Sequence, residues 1–557
     1  MLQETLLFIP SAMAIGIAIY LIITYAFLPS GDKHPRFGSG AVSAWVLAGL
    51  AVLGLTGGFL GPLEWKPLVF GFGGNPEAIS FGIRLDRLSG TMMAFIAAMG
   101  FVVQRYSSIH LRGEGRARLF LIRMSITISA ALVQVLSPGL AQFALAWLAV
   151  SFGLQGLLRT EAQRPGACAA ARLKFLFSRA GDLFMLLAIF SALVKYGGTD
   201  LSLFMSSAGD LAAMVQAPAW MAHGSMEGVR EWSPAPAYFL VFAALFKAAS
   251  LPFHGWLLGS LEAPTPVSAL LHAGIINAGG FLLIRFQHLF EGHPHALVLL
   301  AILALPSVVL GPLAMWSQTD YKRGLAWSTI GQMGFMLLQC ALGAFGPALL
   351  HLFGHGLYKA NAFLRSGELA GMTEPGARSA RTLPGPAGMV LALLASAAGL
   401  GAVYTLLLGN PGAVPGGWVL FSIQSLAVAQ LALSPIARGP AFSGRMAASF
   451  IAGLGYAGVT VAFESLFAPV MAGLPALEMQ GGAGLAAGGI ALLALVTLTS
   501  LWLGMAWWIR KPWGKTLYVA AAHGYYLNPA LTGGLASFRT QARLASLPAT
   551  SAKKEVT

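Results

Sequence analysis

The chain has 557 residues, of which 57% are hydrophobic and only 10% charged, with a mean hydropathy of +0.73. Soluble domains carry about 25% charged residues, so this composition excludes an ordinary soluble enzyme and points to an all-α, polytopic membrane protein. The formal net charge of +14 invites a nucleic-acid reading, which the placement of the charges excludes.

Apolar runs of about 18 or more residues recur from end to end, each long enough to cross the hydrocarbon of a bilayer. A transmembrane barrel would instead alternate apolar and polar residues in segments of about 10, and no such alternation occurs. The first run, TLLFIPSAMAIGIAIYLIITYAF, follows only Glu4. It is too long for a signal peptide and lacks a basic leader, so it reads as a retained span. About fifteen spans are predicted, near 5–27, 40–61, 88–106, 117–136, 139–158, 173–194, 236–258, 266–288, 295–315, 324–345, 347–365, 383–409, 416–435, 447–471 and 481–509; broken helices bring the expected total to about 14–16. Residues 1–511 form the helical membrane domain. Residues 512–557 form an interfacial or cytoplasmic tail, whose tyrosines and tryptophan suit a membrane surface. The longest non-spanning stretch, 196–235, carries an amphipathic piece, LSLFMSSAGDLAAMV, read as an outer-surface helix.

With the N-terminus outside and the spans alternating, the loops assigned to the cytoplasm hold seventeen Lys and Arg residues, Lys174 among them, against six outside. The basic tail also falls inside. This is a clear positive-inside bias, and it makes the excess charge a topology signal; the expected location is a bacterial inner membrane. Nucleic acid is therefore set aside as a partner, and membrane lipids take its place. Cys168 and Cys340 cannot supply the four thiolates of an iron–sulfur cluster and read as packing residues. No P-loop is present, and GFGGN (71–75) lacks the strand–turn–helix setting of a dinucleotide fingerprint. The chain is expected to carry no cofactor and no metal of its own.

Function must then lie in ionisable residues at membrane depth, which are costly and mark ion or proton routes. In AYFLVFAALFKAASLPFHGWLL, Pro252 lacks an N–H, so the carbonyl of Ala248 loses its helical partner one residue from Lys247. Broken helices at membrane depth line cavities or pack on protein. A buried ammonium loses its hydration and depends on nearby carboxylates, so it can hold or release a proton as its partner changes. The chain restarts at EAPTPVSALLHAG, where Pro264 and Pro266 suit a first turn; His272 then lies about 9 Å along the new helix.

In ALLHLFGHGLYKANAFL, His351, His355 and Lys359 are spaced by four. Each such step rotates about 40° and climbs about 6 Å, so the three form one polar seam about 12 Å long. Histidines titrate near neutrality and pass protons through either ring nitrogen. A metal site at His351 and His355 lacks a third ligand nearby in sequence. Asp182, one turn after Arg179, reads either as an intrahelical ion pair or as the counter-charge of Lys247. Glu262 and His254, beside the break, read as a gate; Glu464 is a weaker acidic candidate, and Asp86 reads as a helix cap. The reading requires that these groups join into one continuous file.

The stretch FKAASLPFHGWLLGSLEAPTPVSALLHAGIINAGGFLLIR (246–285) closely resembles the signature of the antiporter-like subunits of respiratory complex I and the Mrp antiporters. FGIRLDRLSG (81–90), QTDYKRGLAWSTIGQMGFM (318–336) and HLFGHGLYKANAFLRSG (351–367) fit the same pattern, so the resemblance covers roughly residues 80–370. It implies an antiporter-like fold with two half-channels and gives relay roles to Lys247, His272, His351, His355 and Lys359. Two departures stand out. The family's glutamate after the tryptophan is Leu148 in LAWLAVSFG, and the span 383–409 lacks the usual lysine–acid pair. With the short C-terminal region, these make the chain more similar to the DabB branch, the membrane subunits of two-part inorganic-carbon accumulation systems. That likeness implies a subunit passing H⁺ or Na⁺, with no enzymatic chemistry of its own, coupled to a soluble DabA-like zinc subunit on the cytoplasmic face that hydrates CO2 to bicarbonate. The alternatives are a proton-pumping subunit of a complex I-like NADH-quinone oxidoreductase, an Mrp-type antiporter subunit, or a membrane scaffold with a vestigial seam.

Overall fold

The computed structural model describes residues 37–59, 62–72, 75–161, 165–205, 234–367, 386–403, 405–406, 417–432, 442–471 and 482–527, with positions 16, 17 and 20 of the N-terminal segment. Most of the first predicted span, most of the amphipathic piece after Met205, the Glu464 side chain and the tail beyond 527 lie outside the described residues.

In hydrocarbon every backbone N–H and C=O must be satisfied within the segment, and the apolar runs accordingly form helices. These are α1 (Phe37–Phe59), α2 (Arg87–His110), α3 (Ala117–Val135), α4 (Leu140–Leu158), α5 (Pro165–Tyr196) and the short α6 (Leu201–Met205). After residue 234 come α7 (Ala235–Lys247), α8 (Gly255–Gly259), α9 (Thr265–Ala273), α10 (Ala278–Arg285), α11 (Pro294–Trp316), α12 (Tyr321–Ala341) and α13 (Phe345–Leu364). A second group comprises α14 (Pro386–Val403), α15 (Gly417–Ala432), α16 (Phe442–Met471), α17 (Gly482–Leu503), α18 (Met505–Trp508) and α19 (Pro512–Ala522). Among the described residues seven helical segments are long and apolar enough to cross a bilayer.

One departure from an all-helical chain is a hairpin between α1 and α2, in the interval between the predicted spans 40–61 and 88–106. Strand β1 (Leu63–Phe72) pairs antiparallel with β2 (Asn75–Leu85), with Glu64 opposite Arg84 and Phe72 opposite Asn75. Aromatic and β-branched residues in both segments favour the pleated form. At Gly82 a Cβ would lie 1.9 Å from the Trp65 carbonyl oxygen, so the strands cross where no side chain fits.

Charges pin this hairpin to the helices. Lys66 Nζ contacts Asp200 and Glu64, each at 2.9 Å. Arg84 pairs with Glu64 and with Asp86, and Arg285 at the end of α10 reaches Asp86 at 2.7 Å. Asp86 also caps α2 as its sequence position suggested: its carboxylate accepts from the Ser89 N–H at 2.8 Å, and the Ser89 hydroxyl accepts from its own N–H at 2.8 Å. The start of α2 and the end of α10 are thereby tied to one face of the molecule.

The predicted break after Lys247 is present. Helix α7 stops at Lys247, and residues 248–254 form an irregular crossing with a cis Leu251–Pro252 bond and Ala249 at φ +49°. Ser307 of α11 satisfies the freed backbone, accepting from the Leu251 N–H at 2.8 Å and sharing a hydrogen bond with the Ser250 hydroxyl at 3.1 Å. A second interruption, a 3₁₀ turn at Ile275–Asn277, separates α9 from α10. The C-terminal region docks beside these breaks: the Tyr525 hydroxyl donates to the Leu310 carbonyl at 2.8 Å.

Candidate functional site: two buried polar stations

The first station surrounds Lys247, at the last residue of α7. Its ammonium lies 4.2 Å from the ring centroid of Trp147 on α4. The Trp147 indole N–H donates at 3.0 Å to Asp182 on α5, and Asp182 also pairs with Arg179 at 2.7 Å. Both readings of Asp182 therefore meet in one geometry. It is the ion-pair partner of Arg179, and it reaches Lys247 through the indole rather than by a direct bond. A cation over an indole face is attracted to the ring quadrupole, and an N–H donated to a carboxylate is a strong, charge-assisted bond.

The sequence reading missed a second lysine here. Lys174, counted there among the cytoplasmic loop cations, is buried within α5, where its ammonium donates to the Ser151 carbonyl at 2.5 Å and the Ser151 hydroxyl at 3.0 Å. The Arg179 guanidinium donates to the same hydroxyl at 3.1 Å. The early position of Lys174 in its apolar run hid it, because a lysine near a helix end is expected to reach the interface. A small cavity between Lys174 and Lys247 is lined further by Trp147, Ser178, Trp256 and Ile275.

The second station gathers His272, His351, His355 and Lys359, from α9 and α13. Lys359 is completely buried, and its ammonium donates to the Leu325 carbonyl of α12 at 2.9 Å. One turn before it, His355 is buried with both ring nitrogens free of hydrogen-bond partners, within electrostatic reach of Lys359, His351 and His272. The rings of His351 and His355 lie 6.2 Å apart, and His351 Nδ1 is held at 2.8 Å by Gln339 Oε1. Across from them, His272 stacks on Phe363 with ring centroids 4.4 Å apart, and its Nδ1 meets the Thr329 hydroxyl at 3.1 Å. The four-residue spacing thus forms one seam on α13, and the restarted helix α9 brings His272 against it. Gln339 and Thr329, which fix the imidazoles, escaped the sequence reading because a single Gln or Thr in an apolar helix has no distinguishing pattern.

The expected continuous file is instead two groups. No hydrogen bond among the described residues joins them. The reason is the turn at Ile275–Asn277: His272 ends the helix facing α13, whereas Ile275, three residues on, lines the Lys247 cavity. Ile275 also borders a second, mostly apolar cavity shared with Leu352 of α13. Two amides line that cavity, and each carries a buried atom without a partner, Gln134 Nε2 and Asn277 Oδ1. Such atoms are usually satisfied by ordered water. Of the two gate candidates, His254 is buried against Trp327, with ring centroids 5.0 Å apart, and Glu262 is exposed in the turn Ser260–Glu262.

Comparison with known proteins agrees with this architecture. Residues 137–412 match the family described as NADH:quinone oxidoreductase/Mrp antiporter, transmembrane, and residues 75–120 match the N-terminal region of complex I chain 5. A probable inorganic carbon transporter subunit DabB2 of Halothiobacillus neapolitanus is 32% identical over 483 residues, which is 83% of this chain and 82% of that one. A probable DabB subunit of Bacillus subtilis is 39% identical over 53% of this chain and 55% of its own length. NADH-quinone oxidoreductase subunit L of Escherichia coli is 34% identical over 52% of this chain and 45% of its own. The structure of the Mrp complex from Dietzia sp. DQ12-45-1b aligns with 98% of this chain and 61% of that one, at a TM-score of 0.61 and 21% identity, and shares its fold. The chain belongs to the NADH:quinone oxidoreductase/Mrp antiporter family of polytopic, transporter-type membrane subunits, which includes the DabB inorganic carbon transporter subunits.

Proposed function

We propose that this chain conducts H⁺ or Na⁺ inward through Lys247, His272, His355 and Lys359, with water in the cavity at Gln134 and Asn277 bridging the two stations, and that the flow drives accumulation of inorganic carbon. The observation that carries the reading is the second station. A fully buried lysine sits one turn from a histidine whose two ring nitrogens are free, with another histidine facing both. Unpartnered ionisable groups at membrane depth are retained where they serve an ion route, and imidazoles pass protons through either nitrogen. His351, oriented by Gln339, extends the seam away from Lys359. Asp182, reached through Trp147, stabilises the ammonium of Lys247, so protonation of one station alters the field at the next. His254 and Glu262 flank the break and gate access to it.

The coupling to carbon follows from the likeness to the DabB subunits. In this reading a soluble, DabA-like zinc subunit on the cytoplasmic face hydrates CO2 to bicarbonate, and ion passage through the membrane subunit makes that conversion effectively one-way. The basic residues of the predicted inner loops support an N-terminus outside and a C-terminus in the cytoplasm of a bacterial cell, with the chain in the inner membrane. The decisive test is complementation of a carbon-requiring host by this chain with its partner. Lys247→Ala is expected to abolish growth rescue, and undiminished rescue would refute the role. A complex I-like or Mrp-type assembly is the second reading, supported by the match to subunit L. Affinity purification separates the two: a single large zinc-containing soluble partner supports the first, and several small membrane subunits support the second.

A further inference from the structure

The Lys247 station contains more cations than its carboxylate can match. Lys174, Arg179 and Lys247 lie within electrostatic reach of one another and, among the described residues, of a single acid, Asp182. That acid is already committed to the Arg179 guanidinium at 2.7 Å and the Trp147 indole at 3.0 Å. Lys174, among the described residues, donates only to the neutral oxygens of Ser151. Among the described residues Lys247 meets the face of Trp147 but no hydrogen-bond acceptor. A buried charge without a partner is costly, and here two ammonium groups line the same small cavity.

A third, independent feature belongs to the lining of that cavity. Trp256, 4% exposed, lines it and carries an indole N–H with no acceptor. An indole nitrogen is a donor only, so what satisfies it must accept hydrogen bonds. A water could accept from Trp256, but it would leave the two ammonium charges uncompensated. A small anion answers both needs. We propose that the cavity bounded by Lys174, Lys247 and Trp256 binds a small monovalent anion, chloride or bicarbonate, through those three groups. The anion supplies the negative charge that the station lacks and couples the protonated state of Lys247 to the anion present. The inference rests on the cavity and its donors, and it stands whether or not the chain conducts.

The test is binding of radiolabelled chloride to the purified full-length chain, with bicarbonate and the bulky anion gluconate as competitors. Saturable chloride binding is expected, displaced by bicarbonate and not by gluconate. Displacement assigns both anions to the site, whereas chloride that bicarbonate fails to displace restricts the same site to halides. Lys174→Met, which keeps the volume of the side chain, should weaken chloride binding at least about tenfold, and Trp256→Phe, which deletes the N–H, should weaken it about tenfold. Both variants are compared with the parent by size-exclusion profile and melting temperature. Absence of saturable binding by the folded parent chain, or unchanged binding in both folded variants, overturns the proposal and leaves the lysines neutral. Lys359→Met separates this from conduction: it should stop ion flux and leave chloride binding intact.

Discussion

Lys247 rests its ammonium 4.2 Å above the ring of Trp147, so the indole, and not a carboxylate, is its immediate partner. The Trp147 N–H continues the link to Asp182 at 3.0 Å. Trp147→Phe preserves an aromatic face but removes the N–H; Trp147→Leu removes both. Ion flux into liposomes is expected to fall about tenfold for the Phe variant, the loss of one hydrogen bond to a charged group. The Leu variant should fall about thirtyfold further, since a desolvated cation–π contact contributes about 2 kcal/mol. Equal flux in the two variants would show that the ring face contributes nothing.

At the second station Lys359 donates to the Leu325 carbonyl at 2.9 Å from a fully buried position. Lys359→Met replaces it with an uncharged chain of similar volume. Replacing a buried charge with an apolar group of like size is often neutral for stability. The melting temperature should therefore change by no more than a few degrees while flux, followed with an entrapped pH dye, drops to the protein-free background.

The break after Lys247 depends on Ser307, whose hydroxyl accepts from the Leu251 N–H at 2.8 Å. Ser307→Ala leaves that buried N–H without its partner, at a cost of about 1–3 kcal/mol. Hydrogen exchange should show faster opening at residues 248–254 than in the parent chain, with α2 unaffected. Parental protection across the break would mean that Ser307 is dispensable.

The charge cluster on the hairpin face predicts a pH dependence. Burial acts to raise the Asp86 carboxyl, but Arg285, the Ser89 N–H and Arg84 outweigh it and hold the group down to about 2. A carboxylate held below its ordinary value near 4 stabilises the fold fully above that value and loses the contribution as pH falls through its folded-state value. Asp86→Asn should therefore melt at a lower temperature than the parent at pH 7. The gap should close as the pH is taken from about 4 toward 2, as read by thermal unfolding in detergent; a gap that persists at the acid end contradicts the assignment.

Much of this protein is legible in its sequence. The break at Pro252 follows from a missing N–H, the restart at Pro264 and Pro266 from ring geometry, and the seam of His351, His355 and Lys359 from helical pitch; each is a local property of a few consecutive residues. The hairpin at 63–85 is not legible as one, because its strands are irregular in register and carry no clean apolar–polar alternation.

Membrane residence and most of the buried titratable residues follow from composition and periodicity; Lys174, near the start of its apolar run, is the exception, because a lysine there reads as reaching the interface. Which charges face one another depends on contacts between helices distant in the chain. Only packing placed Lys174 beside Lys247, set an indole between Lys247 and Asp182, and divided the polar residues into two stations at the turn after His272. Those relationships arise from where α5 packs on α4 and α7 and, separately, where α9 packs on α13, and nothing in a single helix encodes its neighbour.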